Sequence, residues 1–316
     1  MFDGVFWMHV LVCIVVLALA KVLPEYHNGI VARILVLTVY ALGYNLLFGY
    51  TGLLSLGHAL YFAAGMYGAG MTVVFLDWSI PAGFAAGVLC SLVLSLLLGS
   101  LALRTIGVAF MIVTMMFAQA GFLVILYFNE FTRGDEGFVI SQAARNITLA
   151  GTTFDLSDPS IRYSAAWLLF AIGLVSKLLI VRSRTGRVLV SVRENEERSK
   201  LLGYNAYRYK LTAFVLSAVY AGVAGAAYAI LFGYAGATFA SIQYSILPLL
   251  WVLLGGAGVV LGPLVGTVTM FYLIDYLSEI TSAYLLFVGL ALVLLILLAP
   301  RGLLGLARNW RSRWFP

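Results

Sequence analysis

Five stretches of this chain contain no Asp, Glu, Lys or Arg: Ile34 to Leu76, Trp78 to Leu103, Thr105 to Asn129, Leu211 to Ile274 and Ile280 to Pro300. A helix needs about 20 apolar residues to cross the hydrocarbon core of a bilayer, so each run has room for one to three crossings. Inside lipid the backbone has only itself to hydrogen-bond, which leaves helices and closed barrels as the spanning forms. Barrel strands alternate polar and apolar residues over about ten positions, whereas these runs are continuous. The chain therefore reads as an all-α integral membrane protein, one transmembrane domain over residues 1–316. Its composition, 63% hydrophobic and 10% charged, excludes a soluble globular domain.

Breaks in the runs divide them into about ten transmembrane helices, some interrupted: Val5–Leu23, Ile30–Phe48, Ala59–Leu76, Ala82–Leu103, Ile106–Phe128, Ser164–Val181, Leu211–Phe232, Gln243–Leu254, Leu261–Ile280 and Ala283–Ala299. The first segment lacks preceding basic residues and a small-residue cleavage site, so it reads as a crossing rather than a cleavable signal. The eighth is short, and the stretches 49–58 and 243–263 are open to being full or re-entrant crossings. Cys13 and Cys90 lie in apolar runs and read as structural thiols.

Polar residues gather in two loops and the tail. Residues 182–210 hold eight of the nineteen Lys and Arg, and the tail after Pro300 carries Arg301, Arg308, Arg311 and Arg313 with Trp310 and Trp314 as interfacial anchors. Basic residues in short loops stay in the cytoplasm. Four segments separate loop and tail, so both can be cytoplasmic, and both termini with them. The loop 129–163, with five acids against three arginines, then lies outside.

Within the basic loop, Arg193 and Glu197, Glu194 and Arg198, and Glu196 and Lys200 stand four apart, the spacing of ion pairs on one helix. Asn195 lies inside that stretch, and Gly203 is suited to end it. A helix over 193–203 with a face free to dock is the expectation. Two glycine-rich stretches carry the other candidates. In Gly49–His58, Gly49, Gly52 and Gly57 let the backbone leave helical geometry, while Tyr50, Ser55 and His58 supply hydrogen-bonding groups. In Gly255–Gly266, Gly255, Gly256, Gly258 and Gly262 do the same, with Pro263 opening the next helix. Irregular backbone at membrane depth needs a cavity or protein around it, so these stretches either line a pathway or pack helices tightly. Sliding the chain by 206 residues aligns Leu47, Gly49 and Gly52 with Leu253, Gly255 and Gly258, a faint repeat of the kind transporters carry. His58 has no second His, Cys or acid nearby and reads as a structural hydrogen-bonder, so no metal site is expected. Lys177 is expected to snorkel to the cytoplasmic interface, and Asp275 and Glu279 to sit at the outer membrane surface.

The segment TGRVLVSVRENEERSKLLGYNAYRYKLTAFVLSAVYAGVAGA, with GYTGLLSLGHALYFAAGMYGAG, LRTIGVAFMIVTMMFAQ, GGAGVVLGPLVG and PRGLLG, resembles the LivM-type permeases of branched-chain amino acid ABC importers, in the family's order over nearly the whole chain. The resemblance implies a permease paired with a second permease, two cytoplasmic ABC ATPases and a periplasmic binding protein, in a bacterial inner membrane. It makes 193–203 the coupling helix that sits in a groove of the ATPase. Departures are modest: Ser191 stands where a small Ala is usual, Phe138 where Leu or Ile is commoner, and GVAF lacks an aromatic after the glycine.

The function expected is a non-catalytic permease subunit moving branched-chain amino acids or related small polar solutes. The P-loop pattern GxxxxGK[ST] is absent, so ATP must be bound by partners, and no cofactor is expected. In the outer loop, Arg133, Asp135 and Glu136 are candidates for docking a binding protein. Lipid is an expected partner; nucleic acid is not. An ion-coupled transporter or channel is the alternative, opposed by the charge-free runs, because coupling ions need intramembrane acids or histidines. An intramembrane enzyme would need HExxH, GxSxG or a similar constellation, and none is present.

Overall fold

Because lipid offers the backbone no hydrogen-bond partners, each apolar run closes its bonds locally as helix, and the computed structural model follows the runs closely. It describes residues 4–20, 24–149, 152–298 and 301–305; the basic and aromatic residues expected to anchor the tail beyond Gly305 lie outside these. In chain order the helices are α1 (Gly4–Leu19), α2 (Glu25–Thr51), α3 (His58–Phe75), α4 (Ile80–Ala102), α5 (Val108–Tyr127), the single turn α6 (Asn129–Thr132), α7 (Pro159–Arg182), α8 (Arg184–Glu194), α9 (Glu196–Leu201), α10 (Ala206–Phe232), α11 (Ile242–Gly255), α12 (Gly262–Ile280) and α13 (Tyr284–Leu298). Ten of them match the ten expected segments. By length and composition alone, five among the described residues, those in α2, α4, α5, α7 and α10, are long and apolar enough to cross a membrane.

The core is a sandwich of α2, α3 and α10. Residues along α2 and α10 are mostly buried, while α4 and α5 leave most of their surface outside. The close crossing of α3 and α10 depends on glycine: a Cβ at Gly65 would lie 2.0 Å from the Gly222 carbonyl oxygen, and one at Gly225 would lie 1.9 Å from that of Phe62. Small residues of this kind let helices approach where apolar burial offers no drive. On the far side of α2 lies α7, and α1 is fastened to it through Trp167 Nε1, which donates to the Cys13 carbonyl at 2.8 Å.

Two crossings are only partly helical. The chain leaves α2 at Gly52, runs without regular secondary structure through 52–57, and starts α3 at His58, whose ring lies between Ser55 and Ser217. Ser217 is eleven residues into α10, so α3 begins about 16 Å along that helix. The segment 233–241 after α10 pairs briefly as strand β4 (Tyr234–Ala235) with β1 (Phe138–Val139). It then descends through a 3₁₀ turn to α11. With 14 residues, α11 is about 21 Å long, short of the bilayer core of about 30 Å. This crossing thus combines the irregular chain of 233–241 with the helix α11, running from the β1 end to the end where the basic loop lies. The two helical halves begin beside one another at mid-depth, where Ser245 Oγ accepts from Ala59 N at 2.9 Å.

The loop at the β1 end covers 128–158 rather than 129–163, since Pro159 opens α7 with Asp158 capping it: the Asp158 carboxylate accepts from Ser160 N at 2.8 Å. A hairpin, β2 (Asn146–Leu149) with β3 (Thr152–Asp155), completes the loop. The loop at the other end is likewise shorter than 182–210, because Ala206 already begins α10.

Candidate functional site

The basic loop does not form one helix over 193–203. Asn195 breaks it, with φ −158° and ψ 102°, closing α8 at Glu194 and opening α9 at Glu196. Its side chain caps α9 by accepting from Arg198 N at 2.8 Å. Asn is among the best N-cap residues because its oxygen satisfies an amide left free in the first turn. The kink separates Arg193 from Glu197 and Glu194 from Arg198, so those two expected pairs do not form. The third does: Lys200 Nζ stands 3.4 Å from Glu196 and 2.9 Å from Glu197. Glu196 also pairs with Lys210 at the start of α10. Gly203 ends the segment with φ +86°, as a helix stop should. Glu194, Glu197 and Arg198 are exposed.

Arg193, just before the kink, is exposed to solvent, and its guanidinium reaches back to donate to the carbonyl of Gly49 at the end of α2. Gly49 is in the last turn of α2, whose final carbonyls have no intrahelical donor and carry the negative end of the helix dipole. A cation is the partner that position favours. The same place holds the second glycine stretch. Asn45, buried in α2, accepts from Gly258 N at 2.9 Å and donates from Nδ2 to the Val259 carbonyl at 2.7 Å. Gly255 is the last residue of α11, Gly256 is buried after it, and Gly262 opens α12 with Pro263 in the first turn. The positions that coincide on the 206-residue slide also share a backbone form: Gly52 has φ +73° and Gly258 has φ +78°, the left-handed region that glycine enters without penalty. Candidates from two separate motifs and the basic loop therefore meet at one junction.

Lys177 belongs to this junction rather than to the interface. It is fully buried, its Nζ 3.5 Å from the Val260 carbonyl and 5.9 Å from the centre of the Tyr50 ring. It stands five residues before the end of α7, and the carbonyls of the 256–261 turn lie nearer than bulk water. Beside the loop, a cleft of about 490 Å³ is bordered by Glu196, Lys200 and Lys210 on one wall and Leu53 and Ile106 on the other.

Further in, His58 is enclosed. Its Nδ1 is 3.1 Å from Ser55 Oγ and its Nε2 is 2.7 Å from Ser217 Oγ, with the rings of Tyr44, Tyr61 and Phe214 around it. Tyr44 donates to the Ser55 carbonyl at 2.9 Å. Ser55 and His58 thus tie the irregular segment to α10, and Gly57 lies against α5, where a Cβ would meet the Thr114 carbonyl oxygen at 2.2 Å. At the opposite end, Arg133, Asp135 and Glu136 stand together, exposed, on a turn in which Arg133 has φ +59° and Gly134 φ +52°. They do not meet the other candidates.

Sequence reasoning missed Asn45, Ser217 and Ser245. The available signal was a polar side chain inside a charge-free run, which must find a partner in the protein.

The Lys210 ammonium holds the Glu196 carboxyl below the usual carboxylate range by a direct hydrogen bond, with Lys200 adding to it. A lowered folded-state pKa means this contribution to loop order is present above the ordinary carboxylate pKa and is lost as pH falls through the folded value. A spin label at exposed Leu201, with native cysteines replaced, is expected to be equally immobile across neutral pH and to loosen only below the range where carboxylates normally titrate. Loosening already at neutral pH would count against the Glu196–Lys210 tie.

The family model described as branched-chain amino acid transport system / permease component matches residues 27–299. Two curated proteins named high-affinity branched-chain amino acid transport system permease protein LivM are similar. That of Salmonella typhimurium is 31% identical over 296 residues, covering 85% of this chain and 68% of the relative. That of Escherichia coli is 29% identical over the same length, with the same coverage. No solved structure matches with significance.

Proposed function

Because this chain belongs to the family of permease components of branched-chain amino acid transport systems, we propose that it is the membrane subunit of an ATP-driven importer. Its cargo is branched-chain amino acids or related small polar solutes. The observation that most supports this is the contact between Arg193 in the basic loop and the Gly49 carbonyl at the end of α2. It joins the segment suited to a soluble partner to the most central helix of the bundle. In this reading two cytoplasmic ATPase subunits bind and hydrolyse ATP and engage Asn195–Gly203 and the cleft beside it. The chain itself carries no cofactor and catalyses no covalent step.

Closure of the ATPases pushes on α8 and α9. Arg193 passes the displacement to α2, and through Asn45 to the 256–261 turn. The glycine turns then act as the flexible joints of the translocation pathway, alternating its opening between the two sides. A second permease forms the other wall. Arg133, Asp135 and Glu136 receive a periplasmic binding protein. The protein lies in a bacterial inner membrane with both termini in the cytoplasm, as the basic loop and tail favour.

Co-reconstitution of this chain with a second permease, ABC ATPases and a binding protein of the same transport system tests the reading. Radiolabelled L-leucine is expected to accumulate in proteoliposomes only when ATP and the binding protein are both supplied. Accumulation by this chain under an ion gradient, with no ATPase present, would overturn the proposal.

A further inference from the structure

The end of the bundle remote from the basic loop carries a cleft of about 460 Å³ between α2, α7, α10 and α12. That volume is within the range of small-molecule sites, about 300 to 1,000 Å³. Arg33 of α2 and Arg162 in the first turn of α7 both stack on Phe232, the last residue of α10, at 5.4 and 5.8 Å from the ring centre. Asp275 of α12 borders the same cleft, with Phe271 and Ile274 beside it. Among the described residues neither arginine forms an ion pair, nor does Asp275. The Arg162 Nε is buried with no hydrogen-bond partner, a position that costs free energy until something accepts from it.

Both guanidiniums lie within 6 Å of the centre of one ring and form no ion pair, and a guanidinium edge matches a carboxylate with two parallel bonds. The carboxylate of Asp275 stays out of reach of both, so the cleft presents separated positive and negative poles over an apolar floor. We infer that it is a binding site for a free aliphatic α-amino acid. The ligand carboxylate lies on Arg33 and Arg162, its ammonium on Asp275, and its side chain on Phe232, Phe271 and Ile274. The inference rests on the reading of this chain as an amino acid permease and deepens it, because it gives the permease a recognition site of its own. Phosphatidylethanolamine offers a similar charge pair beside aliphatic chains, and the experiment separates the two.

The test uses the assembled transporter, without its binding protein, in phosphatidylcholine nanodiscs, and reads equilibrium binding of radiolabelled L-leucine. Saturable binding is expected. Isocaproate, which lacks the ammonium, and isopentylamine, which lacks the carboxylate, should each compete roughly tenfold more weakly than leucine, the loss expected for one charge-assisted bond. Arg162→Gln and Asp275→Asn should each weaken leucine binding by roughly tenfold or more, with Arg162→Lys between them and the native chain. The analogue series needs no substitution and stands if a variant fails to assemble. Unchanged binding in the variants, or equal competition by the three compounds, would overturn the inference. So would displacement of leucine by phosphatidylethanolamine in the discs, which would assign the cleft to lipid. ATP-driven leucine uptake by the complete native transporter reads the underlying function separately: uptake without binding in the cleft removes this inference alone, and absence of uptake removes the function.

Discussion

Replacing Arg193 by Glu is expected to lower ATP-driven uptake by roughly tenfold or more, while the protein reaches the membrane in normal amounts. The guanidinium bonds to a carbonyl at the end of α2, and a hydrogen bond with one charged partner contributes about 1.5–3 kcal/mol. A carboxylate there faces the negative end of the helix dipole, adding about 0.3–1 kcal/mol of repulsion. Each 1.4 kcal/mol is tenfold in an equilibrium, so the coupled population falls by roughly one to three orders of magnitude. Arg193→Lys keeps the charge and loses the planar fork, and should lie between. Uptake and ATPase rates in proteoliposomes decide it. Normal uptake in the Arg193→Glu transporter would sink the coupling role of this contact.

The largest expected loss of stability belongs to Asn45→Leu. The carboxamide is fully buried and satisfies Gly258 N and the Val259 carbonyl at once. Leucine removes the partner of both groups, at about 1–3 kcal/mol for each that stays buried. The 256–261 turn should detach from α2, seen as a marked fall in the thermal midpoint of the detergent-purified protein or as failure to accumulate. Ser245→Ala is the comparison. It removes a single bond to Ala59 N and should cost about half as much. Equal midpoints for Asn45→Leu and the native chain would show that the carboxamide does not hold the turn.

The transmembrane helices were legible because the charge-free runs and their glycine and proline punctuation are local properties. The interruption at 49–58 was legible for the same reason, since its glycines stand in an uncharged run, whereas the irregular 233–241 ahead of α11 was not singled out. The kink at Asn195 was hidden by its neighbours. RENEERSK spaces its charges as a continuous helix does, and that pattern competes with the capping preference of a single Asn. The capping contact decided it: the Asn195 side chain accepts from Arg198 N and opens α9. Contacts such as Arg193 to Gly49, 144 residues apart, depend on helix packing and leave no local trace. Lys177 was misplaced because its distance from the α7 end suggested an escape route to water, whereas the carbonyl of Val260 lies within reach. The resemblance to permeases pointed to 193–203 as the coupling segment but carried no information about its break at Asn195.

One rod carries contacts at both ends. Gly49, held by Arg193, and Arg33, stacked on Phe232, lie on the same helix α2, sixteen residues apart. At 1.5 Å per residue that is about 24 Å, and the residues between are buried nearly without exception. Such a rod transmits a shove lengthwise with little bending, so its stroke at one face of the membrane equals its stroke at the other. If the basic loop is pushed as proposed, the displacement would arrive at the contact of Arg33 with Phe232 with no relay of intermediate side chains required.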